Sequence, residues 1–391
     1  MSFFSGYRFF VYLAVLMIPA VVLGMREKSL KPYRNLLTVS FIVMVYKETP
    51  MQLLYLVLYT AGACYLVKIY LYLRTRYGRN GTIYGHAVFF ALFPLILSKA
   101  GGLYGKNVFG FLGISYICFR VLQVLIEIYD GVIQKIKIPD FLSFLLFFPA
   151  LSSGPIDRSR RFQADNEAVY KREEYEELLK NGLYKLVLGM FYKLVCSACF
   201  YKLLTEVFAG RYRPLYLVGY AYVYGLYMFF DFAGYSSMAV GASYLLGIKM
   251  PDNFNKPFIS VDIKEFWNRW HITLSAWLRD FVFTRFMINA ARKKWFKDRL
   301  SRAAAGMMLN MVLMGMWHGL EGHYFVYGIY HGLLLSITEI WQKKSGFYQK
   351  YKEKVWYKTI SWFITLNLVM FGFLIFSGHI QEVWGVLIRH L

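Results

Sequence analysis

A succession of apolar stretches, joined by short loops rich in Lys and Arg, constrains the fold of this chain more than any other feature of its sequence. Inside hydrocarbon there is no water to bond the backbone, so each crossing must satisfy its own N–H and C=O groups. A helix does this within one segment, and it needs about 20 mostly apolar residues to cross. Candidate spans or part-spans are Tyr7–Met25, Asn35–Val45, Met51–Leu73, Thr82–Lys99, Val108–Tyr129, Phe141–Ser152, Leu183–Phe208, Tyr216–Phe232, Ala233–Gly247, Ala303–His318, Tyr324–Trp341 and Trp356–Phe376, with a short apolar end at Val383–Leu391. Several are too short to cross simply and read as re-entrant or protein-buried segments. The length rule gives roughly 11 crossings. The expected fold is therefore an all-α, multi-spanning integral membrane protein, with residues 1–391 forming one continuous membrane domain.

Composition agrees. Of 391 residues, 58% are hydrophobic and 17% charged, against about 25% charged in a typical soluble domain. The mean hydropathy is +0.39. Arg8 before the first apolar run resembles a signal peptide, but no small-residue cleavage site follows and many more apolar runs do, so this run reads as a retained first helix.

The formal net charge is +22. In a membrane protein such an excess first reads as basic loops held on the cytoplasmic side, and next as attraction to anionic lipid or an acidic partner. Nucleic-acid binding is a poor fit, because the basic residues are scattered among short loops. Arg26, Lys28, Lys31 and Arg34 form one loop cluster, and Arg74, Arg76 and Arg79 another. Arg292, Lys293, Lys294, Lys297, Arg299 and Arg302 form a dense third, and the run from Lys343 to Lys358 a fourth. All are expected in the cytoplasm, with the N-terminus outside and the C-terminus inside. Two clusters on one side imply a hairpin between them, with His318 near its turn. The polar segment Asp157–Lys180, acidic at Glu173, Glu174, Glu176 and Glu177, reads as a connector ending in a surface helix.

Four cysteines give no disulfide framework, and no zinc spacing, P-loop or dinucleotide glycine motif is present. No metal or resident cofactor is expected.

His318 closes the run Met-Gly-Met-Trp-His-Gly at the end of an apolar stretch. An imidazole there is costly without a partner or a task, and it titrates near neutral pH. It can simply bond a carbonyl within a bundle. Gly315 and Gly319 bracket it, however, and permit close approach of a backbone or ligand, while Trp317 can form a pocket wall. His323 and His331 follow, placed by the sequence at the membrane edge and on the next helix. Upstream, Lys264–Phe281 carries Trp267, Trp270, Leu274, Trp277 and Phe281 at spacings of three and four, the pattern of one apolar helix face. Such a helix could lie at the interface or form a re-entrant wall holding His271 at a substrate path, and spacing alone leaves both open. Asp231, in FFDFAGYSS, reads as a buried carboxylate that needs a cation or a polar cluster. Glu127, Asp130 and Arg120 read as structural. A positioned imidazole can take the proton of a hydroxyl and let it attack an activated acyl group. A membrane-embedded site keeps out the water that would hydrolyse a thioester.

The segment FWNRWHITLSAWLRD with His271, followed by WHG with His318, resembles the membrane-bound O-acyltransferase family. GISYICFRVLQVLIEIYDG (Gly113 to Gly131), FFPALSSGPIDRSRRF (Phe147 to Phe162) and FFDFAGYSSMAVG (Phe229 to Gly241) resemble its D-alanyl transfer branch from Gram-positive bacteria, and the resemblance runs from about Gly113 to His331. The polysaccharide O-acetyltransferases of the family usually continue past this motif into a proline- and glycine-rich loop. Here Arg279-Asp280 leads instead into FVFTRFMINAARKKW. The resemblance implies a ring of tilted helices around a thin central region. It implies transfer of D-alanine from a phosphopantetheine thioester on a small acidic cytoplasmic carrier protein, towards teichoic acid or an intermediate acceptor protein, alongside other membrane proteins of D-alanylation. His318 matches the family's catalytic histidine and His271 its second histidine. Trp317, Asp231 and Trp270 are candidates for the substrate path, and Arg292, Lys293, Lys294 and Lys297 for carrier docking. The alternatives are O-acetylation of an exported polysaccharide and a non-enzymatic transporter of a lipid-linked glycan.

Overall fold

The computed structural model describes residues 2–208 and 214–381, so the apolar end Val383–Leu391 lies outside the described residues. Helices and loops make up the described residues, with no strand among them. Five described helices are long and apolar enough to cross a membrane: Tyr7–Met25, Pro50–Tyr77, Gly81–Leu103, Arg172–Phe208 and Val355–Phe376. The chain divides into two compact units, Met1–Met190 with Gly234–Asp252, and Phe191–Ala233 with Asn253–Leu391.

The first unit holds α1 (Tyr7–Met25), α2 (Lys31–Tyr46), α3 (Pro50–Tyr77), α4 (Gly81–Leu103), α5 (Ile114–Tyr129), α6 (Ile138–Leu146), α7 (Ser159–Glu167) and α8 (Arg172–Met190). Proline stands in the first turn of α2, α3 and α6, where its missing N–H is no loss. The Asn80 side chain caps α4 by accepting from the N–H groups of Thr82 and Ile83. The stretch Phe141–Ser152, read as a short span, is instead α6 followed by a single 3-10 turn at Phe148–Ala150. Pro149 cannot donate to a continuing helix. The freed carbonyls of Phe144, Leu145 and Ala150 are taken up by the buried Arg120 guanidinium at 2.8, 2.8 and 2.6 Å. Arg34 departs from its reading as part of a cytoplasmic basic loop. It is only 2% exposed and donates to the carbonyls of Leu246 and Asn166 and to the Asn166 side chain.

Two further boundaries differ from the sequence reading. The acidic surface helix and the next span form one helical run, Arg172–Phe208, in which α8 is followed by two π-wound stretches flanking α9 (Ala198–Leu203). The pair Tyr216–Phe232 and Ala233–Gly247 is one helix, α10 (Pro214–Leu245). Ala233-Gly234 looks like a break in sequence, but small residues here serve packing. A Cβ on Gly241 would lie 2.6 Å from the Gly182 carbonyl, and one on Gly189 would lie 2.6 Å from the Gly234 carbonyl. Glycine at these places lets α8 and α10 meet backbone to backbone, as membrane helices do at small residues.

The second unit holds α11 (Ile263–Arg269), α12 (Ile272–Leu278), α13 (Thr284–Arg292), α14 (Arg299–His318), α15 (Gly322–Lys344), α16 (Gly346–Tyr351) and α17 (Val355–Phe376). The continuous amphipathic helix expected over Lys264–Phe281 is broken between α11 and α12. α14 and α15 form an antiparallel hairpin closed by Gly319–Glu321. A Cβ on Gly315 would fall on the Tyr324 carbonyl, and one on Gly328 would lie 2.6 Å from that of Met311.

Candidate active site

α14 places His318 at its last residue, at the turn of the hairpin. The other end of α14 is fixed by Asp298, whose side chain accepts from the Ser301 N–H. The Ser301 hydrogen bonds hold the Asp298 carboxyl below the usual aspartate range. Lys344, at the end of α15, acts on the same carboxylate. The basic clusters around Arg292–Arg302 and Lys343–Lys344 thus share one end of the hairpin, and His318 stands at the other, about 30 Å away along 20 residues of helix.

His271 occupies the break between α11 and α12. Trp270 is extended, and His271 takes the left-handed conformation with φ 44° and ψ 50°. That geometry is costly for a residue with a Cβ and marks a position imposed by its surroundings. The surroundings are Asn253 and Asn255. Asn255 N–H donates to the Arg269 carbonyl at 2.9 Å, and Ile272 N–H donates to the Asn253 carbonyl at 2.9 Å. The Asn253 side-chain oxygen accepts from the Thr273 N–H at 3.3 Å and hydroxyl at 2.5 Å. The bend is hydrogen-bonded on both sides, and the His271 side chain is left 3% exposed with neither ring nitrogen bonded to a described residue.

The two imidazoles meet a common wall. The Trp317 ring centroid lies 6.2 Å from that of His271 and 4.7 Å from that of His318. Phe232 packs edge-on against His271 at 4.7 Å, and Phe376 edge-on against His318 at 4.9 Å. Tyr324 stacks near His318 at 6.2 Å. A cleft of about 300 Å³ runs beside α14, lined by Met307, Asn310 and Met314 on one side and by Trp267, Leu274 and Leu278 on the other. It lies along the helix between the basic end and His318.

Other residues singled out in the sequence fall elsewhere. Trp270 points into an aromatic cluster, 4.9 Å from Phe373 and 5.0 Å from Phe254, because the extended backbone sends neighbouring side chains to opposite sides. Asp231 is not a buried carboxylate. Its side chain is 40% exposed and bonded to Lys193 and, at 3.4 Å, to Ser197. His331 lies on the next helix, α15, as its place in the sequence suggests; it is 0% exposed, and its Nδ1 accepts from Trp267 Nε1–H at 3.3 Å. Arg292, Lys293, Lys294 and Lys297 are all exposed at the α13–α14 turn. Asn253, Asn255, Phe232, Tyr324 and Phe376 escaped the sequence reading. The PDNFN run offered the one signal for the first two, since asparagine side chains readily replace backbone partners where a chain bends.

Residues 41–379 match the membrane-bound O-acyltransferase family. A teichoic acid D-alanyltransferase of Bacillus subtilis (strain 168) is 37% identical over 389 residues, which cover 97% of this chain and 98% of that protein. The teichoic acid D-alanyltransferase of Streptococcus thermophilus is 39% identical over 396 residues, covering 96% and 95%. A protein named as a probable alginate O-acetylase, from Pseudomonas syringae, is 31% identical over 280 residues, which cover 70% of this chain and 50% of that protein. With its paired histidines on a common tryptophan wall and a family match that spans most of its length, the chain belongs to the membrane-bound O-acyltransferases.

Proposed function

We propose that this protein is an acyltransferase that moves D-alanine from a carrier-protein thioester to a hydroxyl on the route to teichoic acid. The observation that carries this reading is the Trp317 wall shared by His271 and His318, joined to relatives of that activity covering nearly the whole chain. His318 acts as general base. It takes the proton of the acceptor hydroxyl, the oxygen attacks the thioester carbonyl, the C–O bond forms, the C–S bond breaks, and the proton passes to the departing thiolate. His271, held rigidly with both ring nitrogens open, orients the acceptor or relays that proton.

The protein carries no cofactor of its own in this reading. The phosphopantetheine thioester arrives on an acidic cytoplasmic carrier that docks on Arg292, Lys293, Lys294 and Lys297. The long separation of that surface from His318 suits a substrate carried on an arm, with the cleft beside α14 as its path. The chain crosses the membrane roughly 11 times around a thin central region, with its N-terminus outside and its C-terminus in the cytoplasm. Teichoic acid or an intermediate acceptor protein, with the other membrane proteins of D-alanylation, completes the set of partners.

The test is base-labile D-alanine released from the envelope of a strain lacking this protein, complemented with wild type or His318→Ala at matched membrane levels. Restoration by wild type alone is the expected result. Equal restoration by both would remove His318 from the mechanism and favour transport of a lipid-linked glycan. Restoration by neither would point to another acyl group, acetyl first, as the partial match to the alginate relative allows.

A further inference from the structure

A cleft of about 610 Å³ runs between α3 and α4 in the first unit, remote in sequence from both histidines. Its volume is that of a small-molecule site, and its walls are almost wholly apolar. On α3 the lining runs from Leu58 to Leu73 through Gly62, Leu66 and Ile69. On α4, Ala87 and Ala91 keep the facing wall low. A Cβ on Gly62 would have nothing within 4 Å, so the groove is open space left by a missing side chain. The α3 stripe is about 22 Å long by helical rise, more than half of a hydrocarbon core of about 30 Å. It can seat one extended acyl chain within a single leaflet.

The ends of the groove differ. Leu73 and Ile83 lead to the α3–α4 turn, which carries Arg74, Arg76 and Arg79. Arg74 donates to the Tyr129 carbonyl, and Arg79 pairs with Asp130 at 3.5 Å. Arg76 is exposed, reaches only the Tyr72 hydroxyl at 3.0 Å and the Tyr77 ring, and has no carboxylate partner among the described residues. Tyr70 lines the groove one to two turns inward, 2% exposed, and its buried hydroxyl has no partner among the described residues. From the turn inward the order is an unpaired cation, a hydroxyl donor, then an apolar groove. A glycerophospholipid presents the matching order of anionic headgroup, ester carbonyl and acyl chain.

We propose that the α3–α4 cleft binds one anionic phospholipid, with its headgroup phosphate on Arg76, an ester carbonyl accepting from Tyr70 and an acyl chain along Gly62. The recognition is ionic at the turn and dispersive in the groove. It does not depend on the acyl-transfer reading.

The full-length protein, purified in detergent, would be mixed with phosphatidylglycerol and phosphatidylcholine of the same acyl chains at equal concentration, and retained lipid counted by native mass spectrometry. Wild type should retain phosphatidylglycerol over phosphatidylcholine by about fivefold, the effect of one basic residue on an anionic headgroup. Gly62→Leu, whose Cβ has nothing within 4 Å, puts a side chain into the groove and should lower retention of both lipids by about tenfold. Arg76→Gln, at an exposed position that leaves the fold untouched, should still retain lipid but bring the ratio close to one. Equal retention by wild type and Gly62→Leu, or an unchanged ratio in Arg76→Gln, overturns the proposal.

Discussion

Asn253 grips the backbone on the C-terminal side of His271. Its carbonyl accepts from Ile272 N–H, and its side-chain oxygen accepts from both the N–H and the hydroxyl of Thr273. This fixes where α12 starts and so aims the imidazole towards Phe232 and Trp317. Asn253→Ala should cost about 1–3 kcal/mol, because the buried Thr273 groups lose their partner. Transfer activity should fall by more than the loss of folded protein explains, and Asn253→Asp, which keeps the accepting oxygen, should recover part of it. Rates per folded protein for the two variants are the measurement. Equal rates would limit Asn253 to a stability role.

The left-handed backbone at His271 separates strain from chemistry. Glycine adopts that conformation without penalty, whereas alanine keeps a cost of about 1–2 kcal/mol. His271→Gly should therefore melt above His271→Ala in detergent while both lose the imidazole's contribution to transfer. A lower melting point for the glycine variant would show that the packing of the ring, rather than the backbone, dominates the stability of this bend.

The α8–α10 crossing rests on Gly182 and Gly241, where an added Cβ would lie 2.9 and 2.6 Å from the facing carbonyl. Gly241→Val should destabilise the protein by about 1–3 kcal/mol through forced separation of the helices. A melting curve in detergent checks this, and an unshifted midpoint would mean that the crossing has room to spare.

Replacing Lys293, Lys294 and Lys297 together with glutamine should raise the KM for a carrier-borne donor and weaken its salt dependence, with kcat little changed. These exposed residues lie at the end of the hairpin away from His318. An effect confined to kcat would place the docking surface elsewhere.

Much of the architecture was legible in the sequence. Tyr7–Met25 was readable to the residue and Val355–Phe376 to within one. The hairpin with His318 at its turn followed from the expectation that its two flanking basic clusters share one side. The boundaries that moved did so through contacts distant in sequence. Arg34 lies in a basic loop cluster but bonds Leu246 and Asn166. Asp231 has Lys193 as its partner, which no local pattern announces.

What the sequence determined by itself is the helical membrane character and the identity of the two histidines. Each apolar run closes its own backbone hydrogen bonds, and each histidine lies in a motif readable along the chain. The tertiary structure alone decided that the amphipathic stretch Lys264–Phe281 breaks at His271. Its spacing of apolar residues favours an unbroken helix, and periodicity carries no term for the bonds that Asn253 and Asn255 offer from a separate segment. Those bonds offset the left-handed backbone, and they bring His271 and His318 to the same tryptophan.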